Sequence, residues 1–150
     1  MSNFNFLHDD WTEFVDDART VEKLVRFDPR GACARARYLV EQVVLWMYEH
    51  DEDLELPYDT SLYNITNEMA FKKIIGYTVY EKIKAIRKMG NIALHDSKRV
   101  TENDALRLCR EVFHVMYWLY RTYTTDEQPK PEIDFEPDKI PIVESGRREI

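Results

Sequence analysis

The sequence predicts an all-α protein: an antiparallel bundle of about four to five helices followed by an extended, proline-rich C-terminal tail. Three observations lead to this fold class. Apolar residues recur with a period near 3.6 from about residue 9 to residue 124. Only 4 of the 150 residues are Gly, which is low for a turn-rich all-β fold. Four of the 6 prolines, at positions 129, 131, 137 and 141, lie within residues 125–150.

The first two predicted helices follow from two apolar stripes and the boundary between them. One stripe runs from Trp11 to Val25 with helical spacing. Asp28 is a candidate N-cap, and Pro29 suits the first position of a second helix that we expect to end near His50. The charged stretch DEDLELPYDT, residues 51–60, then interrupts the pattern.

The middle of the chain predicts two short helices and one longer one. Ser61 is a candidate cap for the first, and Asn67 for the second, which Gly76 interrupts. A further helix is expected from about Thr78, because an apolar seam continues from there. Its members are Ile83, Ile86, Gly90 and Ala93.

The last long helix has a predicted start and a predicted core face. Thr101 and Asp104 resemble a capping box, with Asp in place of the usual Glu. Residues 1–124 are therefore expected to form the helical domain. Residues 125–150 are expected to be an extended tail with little to bury, either a strap over the surface or a linker. The core face of the last helix comprises Ala105, Leu108, Cys109, Val112, Phe113, Met116, Leu119 and Tyr120.

Composition and charge exclude several classes of protein. The chain has no GxxxxGK[ST] or GxGxxG motif, no apolar run near the ~20 residues of a membrane span, and no signal peptide, so a cytoplasmic protein is expected. The net charge is −7. Residues 71–110 nevertheless hold ten Lys or Arg and four Asp or Glu, a net +6, which leaves −13 for the rest. This basic central third indicates a candidate anion-binding surface or a pair of solvated helix faces.

The stretch IKAIRKMGNIALHDSKR, residues 83–99, contains the main candidate site. Arg87, Asn91 and His95 are spaced at i, i+4 and i+8 on one polar stripe, which Lys84 and Lys88 border. In a functional interpretation His95 is an acid, base or ligand contact and Arg87 holds phosphate. In a structural interpretation the stripe is a polar helix end, where Asn91 and His95 bond to nearby groups.

Other chemistry-bearing residues are assigned to packing. Gly90 costs ~1 kcal/mol relative to Ala inside a helix, so we expect a neighbouring helix to approach it closely. Cys33 and Cys109 form no CxxC pair and are expected to be buried, unreactive thiols, while His114 is expected to be a hydrogen-bonded packing residue. No metal site is predicted. Core or core-edge positions are favoured over base stacking for Tyr117, Trp118, Tyr120 and Tyr123.

Several segments together resemble a known domain. They are SNFNFL at the start, D-P-R-x-A-C-x-x-A-R at 28–37, LPYDTSL at 56–62, IRKMGNIALH at 86–95, FHVMYWLYRTY at 113–123 and FEPDKIP at 135–141. In this order and spacing they resemble the N-terminal helical domain of the restriction (R) subunit of type I restriction–modification enzymes, a DUF4145 domain. The resemblance extends over about residues 2–141.

The resemblance implies a place in a larger enzyme. In such R subunits this domain precedes a PD-(D/E)xK nuclease domain and two RecA-like motor domains. The parent hydrolase cleaves DNA after ATP-driven translocation, together with methylation and specificity subunits. ATP and Mg²⁺ are then expected only in the parent's other domains, with no cofactor here, and residues 125–150 are expected to be a linker toward the nuclease.

DUF4145 domains are in turn similar to the HEPN superfamily of helical proteins, which includes ribonucleases with the motif RNxxxH. The segment GNIALH aligns with that motif, but Gly90 stands where the motif has Arg. Arg87 lies outside the motif's spacing, and Lys88 fits the spacing without being Arg. Asn91 and His95 are the positions that correspond.

The functional expectation is a non-catalytic accessory module that contacts partner subunits, the DNA backbone, or both. One alternative is a HEPN-like ribonuclease or stand-alone phage-defence domain that uses His95, with a homodimer as one candidate assembly. Another is a structural cap for the nuclease domain. No membrane partner is expected. The expected contact surface comprises Lys82, Lys84, Arg87, Lys88, Asn91, His95, Lys98 and Arg99.

Overall fold

A computed structural model describes residues 1–7, 11–125 and 133–142. These residues form five α-helices, two short 3-10 turns and no strand, so the predicted all-α class is confirmed. The 3-10 turns are Asn5–Leu7 and Pro137–Lys139. The helices are α1 (Thr12–Phe27), α2 (Pro29–His50), α3 (Leu62–Asn67), α4 (Met69–His95) and α5 (Glu102–Tyr123).

Helix α2 is the centre of the bundle and packs against the other four helices. It runs antiparallel to α4, because Arg30 at its start bonds to the Ala93 carbonyl near the end of α4, at 2.7 Å. It runs parallel to α5, because the Tyr123 hydroxyl at the end of α5 donates to Asp51, just after α2, at 2.6 Å. Helix α1 is antiparallel to α5, with Trp11 near Tyr120 at one end and Arg26 near Glu102 at the other.

Three predicted helix starts are confirmed by their hydrogen bonds. The Asp28 carboxylate accepts from the Gly31 amide at 3.0 Å, with Pro29 at the first helical position. The Ser61 hydroxyl accepts from the Asn64 amide at 3.3 Å. At the start of α5 the Thr101 hydroxyl accepts from the Asp104 amide at 3.1 Å, and the Asp104 carboxylate accepts from the Thr101 amide at 3.0 Å. Each bond satisfies a backbone donor that the first helical turn leaves free.

The prediction that Asn67 caps a second short helix is wrong. Asn67 is the last residue of α3, and its side chain donates to the Tyr63 carbonyl at 2.7 Å and accepts from the Tyr80 hydroxyl at 2.6 Å. The predicted interruption at Gly76 is confirmed: α4 consists of two helical segments that meet there at a kink, because Gly76 has non-helical angles, φ 76° and ψ 169°. The predicted start of the first helix, near residue 9, lies outside the described residues.

The described part of the tail, residues 133–142, packs against the bundle. Phe135 is buried with its ring centroid 5.7 Å from that of Phe113, and Ile140 is 2% exposed. The Glu136 amide donates to the Asn3 side chain at 2.7 Å, and that side chain donates back to the Glu136 carbonyl at 3.1 Å. Of the two alternatives for the tail, this stretch is a strap over the surface, although the expectation that it has little to bury is wrong here. Pro129 and Pro131, which belong to the predicted extended tail, lie outside the described residues.

The predicted core face of α5 is confirmed, since all eight of its residues are buried. Tyr120 belongs to this core, and Tyr117, Trp118 and Tyr123 are partly buried against it, as the helical spacing predicted. In the described part of the chain, no helix is both long enough and apolar enough to cross a bilayer.

Candidate nucleic-acid interface

Gly90 lets α2 and α4 approach each other closely. A Cβ on residue 90 would lie 2.3 Å from the Arg37 Cβ and 2.9 Å from its Cγ and Cδ. Real Cβ atoms do not approach one another so closely, so only Gly fits here without a shift of the two helices. The prediction that a neighbouring helix approaches Gly90 is confirmed, and the neighbour is α2.

Arg37 links this crossing to the predicted polar stripe. Its Nε donates to the Asn91 Oδ1 at 2.8 Å, and its Nη1 lies 3.5 Å from the Glu41 carboxylate. The Arg37 side chain is 23% exposed, so it lies at the edge of the groove between α2 and α4. Asn91 therefore bonds to a nearby side chain, as the structural interpretation of the polar stripe predicted.

Arg30 fixes the end of α4, and with it the position of His95. Its Nη1 donates to the carbonyls of Ile92 at 3.2 Å, Ala93 at 2.7 Å and Asp96 at 3.0 Å, and its Nη2 donates to the Lys98 carbonyl. These carbonyls include groups that the last turn of a helix leaves without partners. One guanidinium from α2 thus caps α4 and orders the first residues of the loop that follows.

Arg87 contacts an aromatic ring on α3. Its guanidinium carbon lies 5.0 Å from the centroid of the Tyr63 ring, within the range of a cation–π contact. Within the described residues, no acidic group lies within 4.0 Å of Arg87, Lys84 or Lys88. Their charges are therefore not neutralised by direct ion pairs.

We define the basic face by the predicted residues of α4 and the arginine that packs beside them. Lys88 and His95 are exposed, and Lys84, Arg87 and Asn91 are partly buried. Lys98 and Arg99, also predicted, are exposed in the loop after α4. The basic face thus comprises Arg37, Lys84, Arg87, Lys88, Asn91, His95, Lys98 and Arg99.

Lys82 does not belong to the basic face, although its position in the sequence suggested that it would. It lies against α5, where its Nζ is 3.1 Å from the Glu111 carboxylate and 3.0 Å from the His114 Nδ1. One ion pair already neutralises its charge. The expectation that Lys82 shares a contact surface with Arg87 and Lys88 is therefore wrong.

His114 is a hydrogen-bonded packing residue, as predicted. Burial lowers the pKa of its imidazole, and the neighbouring Lys82 charge lowers it further. Neutral His114 can accept a hydrogen bond from the Lys82 ammonium through Nδ1. The residue therefore serves the contact between α4 and α5.

The two thiols are buried and free, as the sequence predicted. Burial raises the pKa of Cys33 to about 12, with a smaller contribution from Asp104, and burial also raises the pKa of Cys109. Neither thiol forms the reactive thiolate near neutral pH. Within residues 1–7, 11–125 and 133–142, no group of three His, Cys, Asp or Glu side chains is arranged to hold a metal ion.

Three residues that build this site were not predicted from the sequence: Arg30, Arg37 and Tyr63. Arg30 and Arg37 are seven residues apart, which places them two turns apart on one face of a helix. Tyr63 lies between the buried residues Leu62 and Ile65 on a short helix, a position that faces solvent. The spacing of Arg30 and Arg37 could therefore be seen in the sequence, but the residues of α4 that they contact could not be predicted from it.

Comparison with known proteins identifies a family for this chain. The family described as "Domain of unknown function (DUF4145)" matches residues 19–136. This range contains the basic face, α2 to α5 and the first part of the packed tail. Neither curated proteins nor solved structures give a match. Because the match extends over more than half of the sequence, the chain belongs to the DUF4145 family.

Proposed function

We propose that this chain is a non-catalytic accessory domain that holds nucleic acid through its phosphate backbone. The observation that carries the proposal is the set of unneutralised cations Lys84, Arg87 and Lys88 on one stretch of α4. Such cations attract phosphates without distinguishing base sequence. They are concentrated in the +6 region of a chain whose net charge is −7, so attraction is local to this surface.

The bundle presents these cations on a fixed support. Arg30 caps the end of α4, and Gly90 allows Arg37 to bind Asn91 from α2. A preformed cationic surface loses little conformational freedom when a polyanion binds. The support therefore favours a binding role for α4.

Binding is favoured over catalysis because Asn91 already has a structural partner: it accepts a hydrogen bond from Arg37. A ribonuclease centred on His95, the alternative that the HEPN similarity implies, would need Asn91 to turn toward its substrate. The ribonuclease alternative predicts that wild-type protein cleaves RNA and that His95→Ala abolishes the cleavage. The binding proposal predicts that RNA stays intact with wild-type protein and with His95→Ala.

The resemblance to the R-subunit domain supports a biological setting for this role. In that setting the domain works in the cytoplasm beside methylation and specificity subunits and helps to hold DNA for a nuclease and motor elsewhere in the parent enzyme. A backbone contact suits such a position, because a translocating enzyme must hold DNA of any sequence.

The test is duplex DNA binding at several salt concentrations, measured by fluorescence anisotropy. Wild-type protein is expected to bind at low salt and to lose affinity steeply as salt rises. The triple variant Lys84→Ala, Arg87→Ala, Lys88→Ala should bind more weakly, with a salt slope lower by about 3, near one for each lost phosphate contact.

A matched control removes the same number of charges elsewhere. The variant Lys23→Ala, Arg107→Ala, Arg110→Ala changes three exposed basic residues on α1 and α5. It is expected to retain most of the affinity. Absence of binding to either duplex or single-stranded DNA by wild-type protein at low salt, or equal losses in the two triple variants, would contradict the proposal.

A further inference from the structure

Tyr63 is an exposed aromatic residue beside the basic face. Its side chain is on α3, is 61% exposed, and lies under the Arg87 guanidinium at 5.0 Å. The cation–π contact orients the Arg87 guanidinium and the ring toward the same surface.

The helix that carries Tyr63 is firmly anchored despite its length of 6 residues. Leu62 and Ile65 on either side of Tyr63 are fully buried, and the Ile65 carbonyl accepts from the Tyr48 hydroxyl at 2.7 Å. The final residue, Asn67, is tied to the Tyr80 hydroxyl. Tyr63 is therefore presented on a rigid support with little freedom to fold back onto the protein.

A second ring, that of Tyr80 on α4, is paired with a cation in the same way, because the Lys72 ammonium lies 4.7 Å from its centroid. The Arg35–Tyr38 pair on α2 lies on the side of α1 instead, where Arg35 also bonds to Asp17. Aromatic rings interleaved with cations combine two attractions, one for the faces of bases and one for phosphates.

We infer that the basic face binds single-stranded nucleic acid, with Tyr63 as a platform on which a base stacks and Arg87, Lys84 and Lys88 as phosphate contacts. This inference rests on the proposed function and specifies its ligand. In a duplex both faces of most bases are covered by their neighbours, so Tyr63 would meet only sugar and phosphate. A single strand offers unstacked bases, and every base has a face that can stack on a ring.

The size of the surface suits a few nucleotides. Arg87 and His95 are eight residues apart on α4, which is ~12 Å along the axis at ~1.5 Å per residue. Tyr63 lies at the Arg87 end of this distance. A strand lying along α4 would stack one base at Tyr63 while its backbone follows the cations toward His95.

The experiment compares a labelled 15-nucleotide oligo-dT with a duplex of 15 base pairs at the same low salt. Wild-type protein is expected to bind oligo-dT more tightly. Tyr63→Leu should weaken oligo-dT binding at least about fivefold, the lower range for loss of one stacked base, and leave duplex binding within about twofold. Tyr63→Phe should bind like wild type, because the ring remains.

Tyr58→Leu is the matched control, since Tyr58 is fully exposed in the loop before α3. It should not change oligo-dT binding, and circular dichroism should show the same helix content in all variants. If duplex binds as tightly as oligo-dT and Tyr63→Leu has no selective effect, the inference is overturned while the proposed function stands. If neither ligand binds, the proposed function fails too.

A second measurement does not depend on a variant. Wild-type protein is irradiated with an oligo-dT that contains 5-iodouracil, and the adduct is located by mass spectrometry. The adduct is expected on the peptide that contains Tyr63. Adducts confined to peptides without Tyr63 would overturn the inference.

Discussion

Arg37 of α2 lies directly against Gly90 of α4, in the space that a side chain on residue 90 would need. Its Cβ would be 2.3 Å from such a side chain's first carbon, and its Nε bonds to Asn91, the next residue on α4. The absence of a side chain at residue 90 thus sets the distance between two central helices. It also places a guanidinium at the edge of the basic face.

Gly90→Ala is expected to destabilise the protein by ~1–2 kcal/mol, the difference between an overpacking cost of ~2–3 kcal/mol and the ~1 kcal/mol gained from the better helix former. The added methyl group would collide with the stem of Arg37, and overpacking of this kind outweighs the ~1 kcal/mol gained from replacing Gly inside a helix. Urea unfolding followed by circular dichroism measures the change. Lys84→Ala, a partly exposed position on the same helix, should change the free energy of unfolding by less than ~0.5 kcal/mol. A Gly90→Ala protein as stable as wild type would contradict the close approach.

Arg30→Ala is expected to destabilise the protein by ~2–3 kcal/mol, because charge-assisted hydrogen bonds to carbonyls at the end of α4 are lost. Arg30→Lys should restore less than half of this, since an ammonium cannot span carbonyls from Ile92 to Lys98 as a planar guanidinium does. Urea unfolding gives the free energies. Hydrogen exchange should show faster exchange of the Asp96 amide, which bonds to the Ile92 carbonyl. Full restoration by Lys would argue against the capping role.

Local signals in the sequence predicted much of the fold. The caps at Asp28, Ser61 and Thr101 were visible because a side-chain acceptor and the amide that it binds lie within three residues. The kink at Gly76 was visible because only glycine readily adopts its positive φ. Asn67 was mistaken for a cap because its partner, Tyr80, is 13 residues away, and that contact overrides the local preference.

The candidate site was harder to predict because its geometry depends on contacts between distant residues. The stripe of Arg87, Asn91 and His95 followed from helical spacing alone. That Asn91 faces Arg37, 54 residues away, depends on how α2 crosses α4, which no local pattern specifies. Lys82 was placed on the wrong surface although helical spacing already separates it from this stripe, since five residues before Arg87 is roughly 140° around the helix. Its side chain accordingly contacts α5.

Asn3→Ala is expected to loosen the packed tail and to destabilise the protein by ~1–3 kcal/mol. The Glu22 carboxylate is 3% exposed and accepts from the Asn3 amide at 2.8 Å and from the Asn3 side chain at 2.9 Å. Removing that side chain deprives a buried charge of a donor and frees both backbone groups of Glu136.

Limited proteolysis at native conditions tests the effect of Asn3→Ala on the tail. Cleavage within residues 133–142 should be faster in Asn3→Ala than in wild-type protein, while cleavage within α2 stays slow. Asn5→Ala is the matched control, because Asn5 is exposed and bonds only to Arg19 among the described residues. Equal cleavage of the tail in both variants would show that Asn3 does not hold it.

The stability of the protein is expected to fall between pH 7.5 and pH 5.5, in part because of His114. Burial and the Lys82 charge lower the pKa of His114 in the folded state, with Arg110 acting in the same direction and Glu111 and Asp134 opposing. The unfolded chain then binds more protons than the folded chain as the pH falls through the ordinary histidine value near 6.5, so unfolding is favoured there.

His114→Gln removes this titration and keeps a polar side chain beside Lys82. Urea unfolding at a series of pH values should therefore show a shallower loss of stability for His114→Gln than for wild-type protein. Identical pH profiles would mean that His114 is not the group responsible.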